Sequence, residues 1–410
     1  MMDQIATFPL SQAATSMRPS PVRDLLNLIS DKDTISFAGG LPDPAFFDAP
    51  GIRECFDRVL EQMPERALQY SSTEGEPELR RLAAQKLCDE GVQTGPDDVL
   101  VTTGSQQALS IIAAALVSPG DVVLVEAPTY LAMLQAFELA GARLVSVPTD
   151  TQGVLPDALD RAIRVHHPKC VYLIPPCQHP TGRTVPESRR EKLASVIARH
   201  DVVLVEDDPY SQLRFSGDPL LALSGRSGLA GRTILLNTLS KGLAPGLRVG
   251  WLRAPAPIRR TLAVIKQAYD LHTSPVVQLA AAQYLQVHQA DVHRLDPVRH
   301  AYQRRAEAMT TALQEALPAG STMSRPEGGM FVWVHLPDGW DAEALLPHAI
   351  SRKVAFVPGI SFYADNPDRA TLRLSFCTYS PDVIREGVGR LHDALRAYED
   401  VLHTKTMTPA

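Results

Sequence analysis

The chain has 410 residues, 45% of them hydrophobic and 21% charged, with a formal net charge of −6. That is the balance of an ordinary globular protein, long enough for two domains and a sizeable buried core. No basic run stands out, which speaks against nucleic acid as a partner, and no apolar run approaches the ~20 residues of a membrane helix.

The five cysteines, Cys55, Cys88, Cys170, Cys177 and Cys377, are scattered and contain no Cys-x-x-Cys. This argues against a disulfide framework and a structural zinc site, and for a reducing, cytoplasmic compartment. The opening MMDQIATFPLSQAATSMRPSP lacks a basic stretch leading into an apolar core, so this Ser-, Pro- and Ala-rich start reads as a mobile arm and not as a secretory signal.

In chain order, residues 21–30 predict a short amphipathic helix with Val22, Leu25, Leu26 and Ile29 on one face. Residues 35–44 cross as an extended loop, in which Gly39 and Gly40 permit close backbone approach. Pro77 marks the first turn of a helix and Gly91 its stop. From residue 98 to about 267, strand and helix patterns alternate. Buried strands are expected at 99–103, 122–125, 143–147, 170–174, 202–205 and 233–237, with a helix opening at Gly104 and running to Leu116. The alternation predicts an α/β fold with a mainly parallel sheet covered on both faces, and ligands at the loops after the strands. No Gly-x-Gly-x-x-Gly follows a strand, so a dinucleotide site is unsupported. Residues 275–317 read as mostly helical. An α+β ending follows, with strands at 328–334, 354–357 and 371–376. Ser380-Pro381-Asp382 caps a last helix whose Ile384, Val388, Leu391 and Leu395 share a face.

The chemistry concentrates in ILLNTLSKGLAPGLRVGW at 234–251. A lysine at the end of a buried strand is partly dry, so its pKa falls and its amine can form a Schiff base with an aldehyde. Thr238, Ser240 and Arg248 around Lys241 suit a phosphate on the same molecule. Gly104-Ser105-Gln106, at a helix start, offers N–H groups to an anion, or is an N-capping loop with nothing bound. Tyr130 can stack on a flat ring or simply be buried. Glu206-Asp207-Asp208-Pro209-Tyr210 places carboxylates at a buried strand's end, where they are costly unless paired; a solvated acidic turn is the other reading. Arg373 is a lone arginine inside an apolar strand, which a bidentate clamp on an amino acid's carboxylate or an internal salt bridge would each explain.

Together these segments resemble the fold-type I pyridoxal-phosphate enzymes, and more narrowly the class I aminotransferases of the 2-aminoadipate and kynurenine kind, from about Pro21 to Leu402. The resemblance implies a large domain with a mainly parallel sheet flanked by helices, plus a smaller α+β domain from both chain ends. The corresponding division is 1–48 for the arm and part of the small domain, 49–285 for the large domain and 286–410 for the rest. It implies pyridoxal 5'-phosphate on Lys241 as an internal aldimine. Ser105, Gln106, Thr238 and Arg248 then hold the phosphate, with Ser240 assisting. Tyr70 reaches in from the second subunit of a homodimer, although a core-edge tyrosine fits it equally well. Asp207 pairs with the ring nitrogen, Tyr210 reaches the phenolic oxygen and Tyr130 stacks on the ring; Glu206 and Asp208 are read as structural. Arg373 takes the substrate's α-carboxylate, Gly40 belongs to the segment that closes over it, and Arg23 reaches in from the helix at 21–30, although a helix-surface arginine and a plain turn fit equally well. No metal is implied.

One departure stands out. Where the family has Asn-Pro-Thr-Gly, with the Asn donating to the phenolic oxygen, this chain has His179-Pro180-Thr181-Gly182. A neutral histidine can still donate one hydrogen bond, but it can also charge near neutral pH. The expected reaction is transfer of an α-amino group from an amino acid to a 2-oxo acid, with Lys241 as the general base. His179 motivates an alternative with the same fold and cofactor: β-elimination, oxidative deamination or decarboxylation of a specialised amino acid. A cofactor-sensing regulator ranks last, because the fold pattern begins near Pro21, with no basic DNA-binding stretch ahead of it. Phe46, Phe47, Met330, Phe331, Phe362 and Tyr363 suggest a pocket for a bulky or apolar side chain, or else core.

Overall fold

The structure, a computed structural model, describes residues 9–17, 33–288, 291 and 293–406. The helix expected at 21–30, and with it Arg23, lies outside the described residues. After a two-residue strand β1 (Ile35–Ser36), the chain builds the sheet that carries the site. Its strands are β2 (Val99–Thr102), β3 (Val122–Glu126), β4 (Arg143–Val147), β7 (Cys170–Leu173), β8 (Val203–Asp208), β9 (Thr233–Thr238) and β10 (Gly250–Arg253). A small hairpin, β5 (Thr149–Asp150) with β6 (Gly153–Val154), branches off between them. The order is β2-β10-β9-β8-β7-β3-β4, parallel from β9 to β4, with β10 antiparallel to both of its neighbours.

The six expected strands of this sheet are all present. Their near-continuous apolar runs reflect burial on both faces. Along β3, Val123 and Val125 pack with the helices Ser105–Leu116 and Leu131–Leu139, while Val122 and Leu124 pack with Pro156–His166 and Glu187–Ala198. That alternation is the two-residue period of a strand, and emptying one such position, as in Leu124→Ala, costs about 2–5 kcal/mol. Strand β10 was not expected. It is only four residues long and follows the lysine segment directly, so no turn signal separates the two.

The second sheet is antiparallel, in the order β11 (Thr322–Met323), β12 (Phe331–His335), β15 (Thr371–Ser375), β14 (Val357–Pro358). The strand expected at 354–357 divides in two. Its first half, β13 (Val354–Ala355), pairs in parallel with β1, and its second half, β14, pairs with β15. The strand expected from Gly328 starts at Phe331, because Gly328 lies against Cys177 and Arg214. A Cβ on Gly328 would sit 2.6 Å from Cys177 Sγ. The last helix, Pro381–Thr406, buries Ile384, Val388, Leu391 and Leu395 as its periodicity predicts. They join one core with Ile35, Phe37 and the helix Asp296–Ala316.

One threading detail decides the site. Phe37 donates its N–H to Ala355 O at 2.8 Å, and Ser375 donates to Phe37 O at 2.8 Å. The segment after β1 is therefore held along β15, and it delivers residues 38–41 to the ends of the large-sheet strands.

Candidate active site

The loops after β2, β3, β7, β8 and β9 meet at one edge of the large sheet around a cavity of about 420 Å³. Its walls include Gly40, Ser105, Gln106, Tyr130, His179, Asp207, Tyr210, Thr238, Ser240, Lys241, Arg248 and Arg373. Every expected site residue is thus gathered here, except Arg23, which is outside the described residues, and Tyr70. Tyr70 is 78% exposed, its ring edge-on to His272 at 5.7 Å.

Lys241 lies in the loop after β9. Its Nζ donates to Gly40 O at 3.3 Å. Burial pulls the amine down to about 8, and Arg373 and Arg248 push the same way. About a tenth of the amine is then neutral at pH 7, against well under a thousandth at the ordinary 10.5, which lets it act as a nucleophile and a base. Gly40 fits only as glycine while Phe331 stays where it is, since a Cβ there would meet Phe331 Cζ at 2.8 Å.

Nearby is an anion cup. Helix Ser105–Leu116 has Gly104 as its N-cap and no side-chain cap, so its first-turn N–H groups remain available. Gly104 has φ +76°, and a Cβ on it would lie 2.5 Å from Arg248 Nη2. Arg248 Nη1 reaches Ser240 Oγ at 3.5 Å, and Thr238 Oγ1 binds Ser240 Oγ at 2.9 Å. Behind the cup, fully buried Lys266 pairs with Asp270 at 2.7 Å, and Asp270 accepts from Thr103 Oγ1 at 2.8 Å. This brace for the Thr103-Gly104 turn escaped sequence reasoning, although a lysine four residues before an aspartate on a helix was its signal.

The acidic pentad resolves by strand alternation. Glu206 accepts from the N–H groups of Leu223 (2.9 Å) and Ser224 (2.6 Å), and Asp208 from Tyr210 (3.2 Å) and Ser211 (2.9 Å). Both are structural, as expected, and the reading of a solvated acidic turn is wrong: all three carboxylates are buried. Asp207 lies on the other face. Its Oδ2 accepts from Tyr172 O–H at 2.7 Å, while Oδ1 is buried without a partner. Burial pushes Asp207 up to about 7, against the pull of the Tyr172 hydrogen bond. Tyr172, inside the apolar strand β7, carried no signal of this role.

His179 corrects an expectation. The ring is buried, and burial together with the charges of Arg373 and Lys241 holds it well below 6.5. It does not charge near neutral pH. Arg373 Nη1 donates to His179 Nε2 at 2.7 Å and Nη2 to Ala38 O at 2.5 Å. The internal salt bridge considered for Arg373 is not what holds it, since its hydrogen bonds go to these two neutral acceptors. Of the six candidate pocket residues, Phe331 and Phe362 line this cavity. Phe46 and Phe47 line a neighbouring cavity that also touches Lys241, Met330 is core, and Tyr363 packs on Trp333.

The arrangement fits pyridoxal 5'-phosphate on its own terms. A lysine of lowered pKa, a helix start with uncapped first-turn N–H groups and a buried carboxylate oxygen without a partner share one cavity with a buried guanidinium. Comparison with known proteins agrees. The model of the family described as "Aminotransferase class I and II" matches residues 47–391. An aromatic-amino-acid aminotransferase of Thermococcus litoralis is 39% identical over 94% of this chain and 94% of its own. The α-aminoadipate aminotransferase of Thermus thermophilus, solved with N-(5'-phosphopyridoxyl)-L-leucine, superposes with a TM-score of 0.88 at 38% identity, over 96% of this chain and 98% of that one. The kynurenine aminotransferase of Pyrococcus horikoshii gives 0.90 at 39% identity, over 95% and 97%. This chain belongs to the class I and II aminotransferases.

Proposed function

We propose that this cavity binds pyridoxal 5'-phosphate at Lys241 and moves the α-amino group of a bulky apolar or aromatic amino acid to a 2-oxo acid. The observation that carries it is the placement of Lys241, its amine lowered to about 8, in one cavity with Asp207 and Arg373. When bound, the cofactor supplies an electron-withdrawing ring conjugated to the substrate nitrogen. Ser105 and Gln106 N–H groups, Thr238 and Arg248 hold its phosphate, with Ser240 assisting. Asp207 holds a proton on the ring nitrogen, Tyr210 reaches the phenolic oxygen and Tyr130 covers the ring.

Arg373 takes the substrate's carboxylate with the N–H groups that His179 and Ala38 leave free, which aligns the Cα–H bond. Lys241 Nζ then removes the proton from Cα. Leu41, Leu131, Phe331 and Phe362 make the remaining wall apolar, which supports an uncharged side chain. The alternative outcomes lose their motive, because the neutral His179 ring still offers a donor edge.

The division at residues 48 and 285 belongs to the same proposal, supported by the packing of Ile35 and Phe37 into the C-terminal core. So does a homodimer in which the exposed Tyr70 serves the partner's phosphate. All five cysteines are free, which supports a cytoplasmic setting, and no helix among the described residues is long and apolar enough to cross a membrane. The test is spectral. Protein loaded with pyridoxal phosphate, mixed with phenylalanine or leucine and no oxo acid, converts stoichiometrically to the pyridoxamine form. Catalytic release of ammonia, carbon dioxide or peroxide instead would overturn the reading.

A further inference from the structure

We propose that His179 is a positioning residue whose proton is placed by Arg373: the guanidinium holds the ring as the neutral Nδ1–H tautomer, with one edge accepting from Arg373 and the other donating to an oxygen of the bound cofactor. Only the acceptor at that second edge rests on the cofactor reading above.

The argument starts from what a guanidinium can do. It has five N–H donors and no acceptor. Nη1 of Arg373 lies 2.7 Å from Nε2 of His179, so Nε2 is the accepting nitrogen and the ring's single proton is on Nδ1. Protonating Nε2 as well would break this bond and place a cation against Arg373 of β15, with Lys241 of the β9 loop also near. Nδ1 is buried and has no partner in the protein. A buried N–H is costly to leave unmet, and this one belongs to a ring that lines the cofactor cavity.

The ring is also fixed in plane. Tyr130, Phe331 and Phe362 meet it edge-to-face at centroid distances of 5.0, 4.7 and 5.5 Å. The constraint is mutual. His179 Nε2 and Ala38 O occupy two of the five N–H groups of Arg373, and its guanidinium lies 4.3 Å from the Phe331 centroid and 5.1 Å from that of Phe362. The fork is oriented before a carboxylate arrives. An asparagine side chain presents the same pair of edges, a carbonyl to accept and an NH₂ to donate. The imidazole therefore replaces the family's asparagine edge for edge, which a filler of equal size would not do.

The experiment has two arms. In cofactor-free protein labelled with ¹⁵N-histidine, the His179 signal is assigned by its loss in His179→Asn. It should show Nδ1 protonated and Nε2 bare from about pH 5.5 to about pH 8. In Arg373→Met the tautomers should mix. An Nε2–H tautomer in the wild type, or ordinary titration near 6.5, overturns the proposal. In the second arm, pyridoxal phosphate affinity should fall ~10-fold or more in His179→Leu and stay within ~3-fold in His179→Asn, the scale of one hydrogen bond to a charged acceptor. Equal loss in both variants would make His179 mere packing. If no form bound the aldehyde, the cofactor reading would fail, while the tautomer would still be decided by the first arm.

Discussion

Tyr172 and Asp207 face each other across neighbouring parallel strands, the tyrosine O–H donating to Asp207 Oδ2 at 2.7 Å while Oδ1 stays open. The bond favours the charged carboxylate, and burial opposes it. Tyr172→Phe keeps the volume and removes only the donor. Asp207 should then rise above about 7, and pyridoxal phosphate affinity should drop ~10-fold, for ~1.5 kcal/mol lost from a bond to a charged group. Equilibrium titration of the chromophore checks this; a change under ~2-fold would reduce Tyr172 to a core residue.

Asp207 also sets a pH dependence in the cofactor-free protein. Its folded pKa lies above the ordinary 3.8, at about 7. Its contribution to stability is therefore present below 3.8 and lost as pH rises through about 7. Asp207→Asn removes that loss. Compared with wild type, the cofactor-free variant should gain stability with rising pH, reaching ~4 kcal/mol above pH 7. Urea melts of both proteins at several pH values measure the difference. A gap that stayed flat across this window would contradict the assigned shift.

Lys241 titrates in the opposite sense. Its amine is the charged form at low pH, and burial favours the neutral form down to about 8. Association of pyridoxal phosphate, which needs the neutral amine, should speed up as pH rises, with a midpoint near 8 and not near 10.5. Stopped-flow absorbance follows it. Lys241→Ala should fold normally, since Nζ donates only a 3.3 Å bond to Gly40 O, yet borohydride should fix no cofactor to it.

Arg373 should discriminate by carboxylate. Arg373→Lys exchanges a planar fork for a point charge. The half-reaction with phenylalanine should lose ~10–100-fold in kcat/KM, the scale of one or two charge-assisted bonds. Any slow reaction with phenethylamine, which lacks the carboxylate, should change little. Equal losses for both amines would place the arginine's effect elsewhere.

Gly104→Ala tests the anion cup. The residue has φ +76°, and the new methyl would press on Arg248 Nη2. With ψ 167° as well, this backbone is essentially restricted to glycine and costs another residue ~1–3 kcal/mol, and displacement of Arg248 adds to the loss. Phosphate-dependent affinity should fall, with pyridoxal phosphate weakened ~10-fold or more and pyridoxal, which has no phosphate, little affected.

Much of this was legible locally. VVLVE and TILLNT announce themselves as buried parallel strands because burial on both faces leaves no polar alternation to hide them. Lys241, Asp207, Ser105 and His179 could be picked out because each lies at or just beyond the end of such a strand, and parallel strands bring their ends to a common edge. What residues 234–251 and 206–210 determine alone is a chemistry: an amine, hydroxyls, a guanidinium and a carboxylate at strand ends. The tertiary structure decided the rest. Arg373 meets Ala38 across 335 positions and His179 across 194, and Tyr172 meets Asp207 across 35. The charge state of His179 and the pKa values of Lys241 and Asp207 depend on burial and on neighbours brought together by folding. Hydrophobic periodicity records which face of an element is covered, but carries no record of which distant polar group lies beneath it.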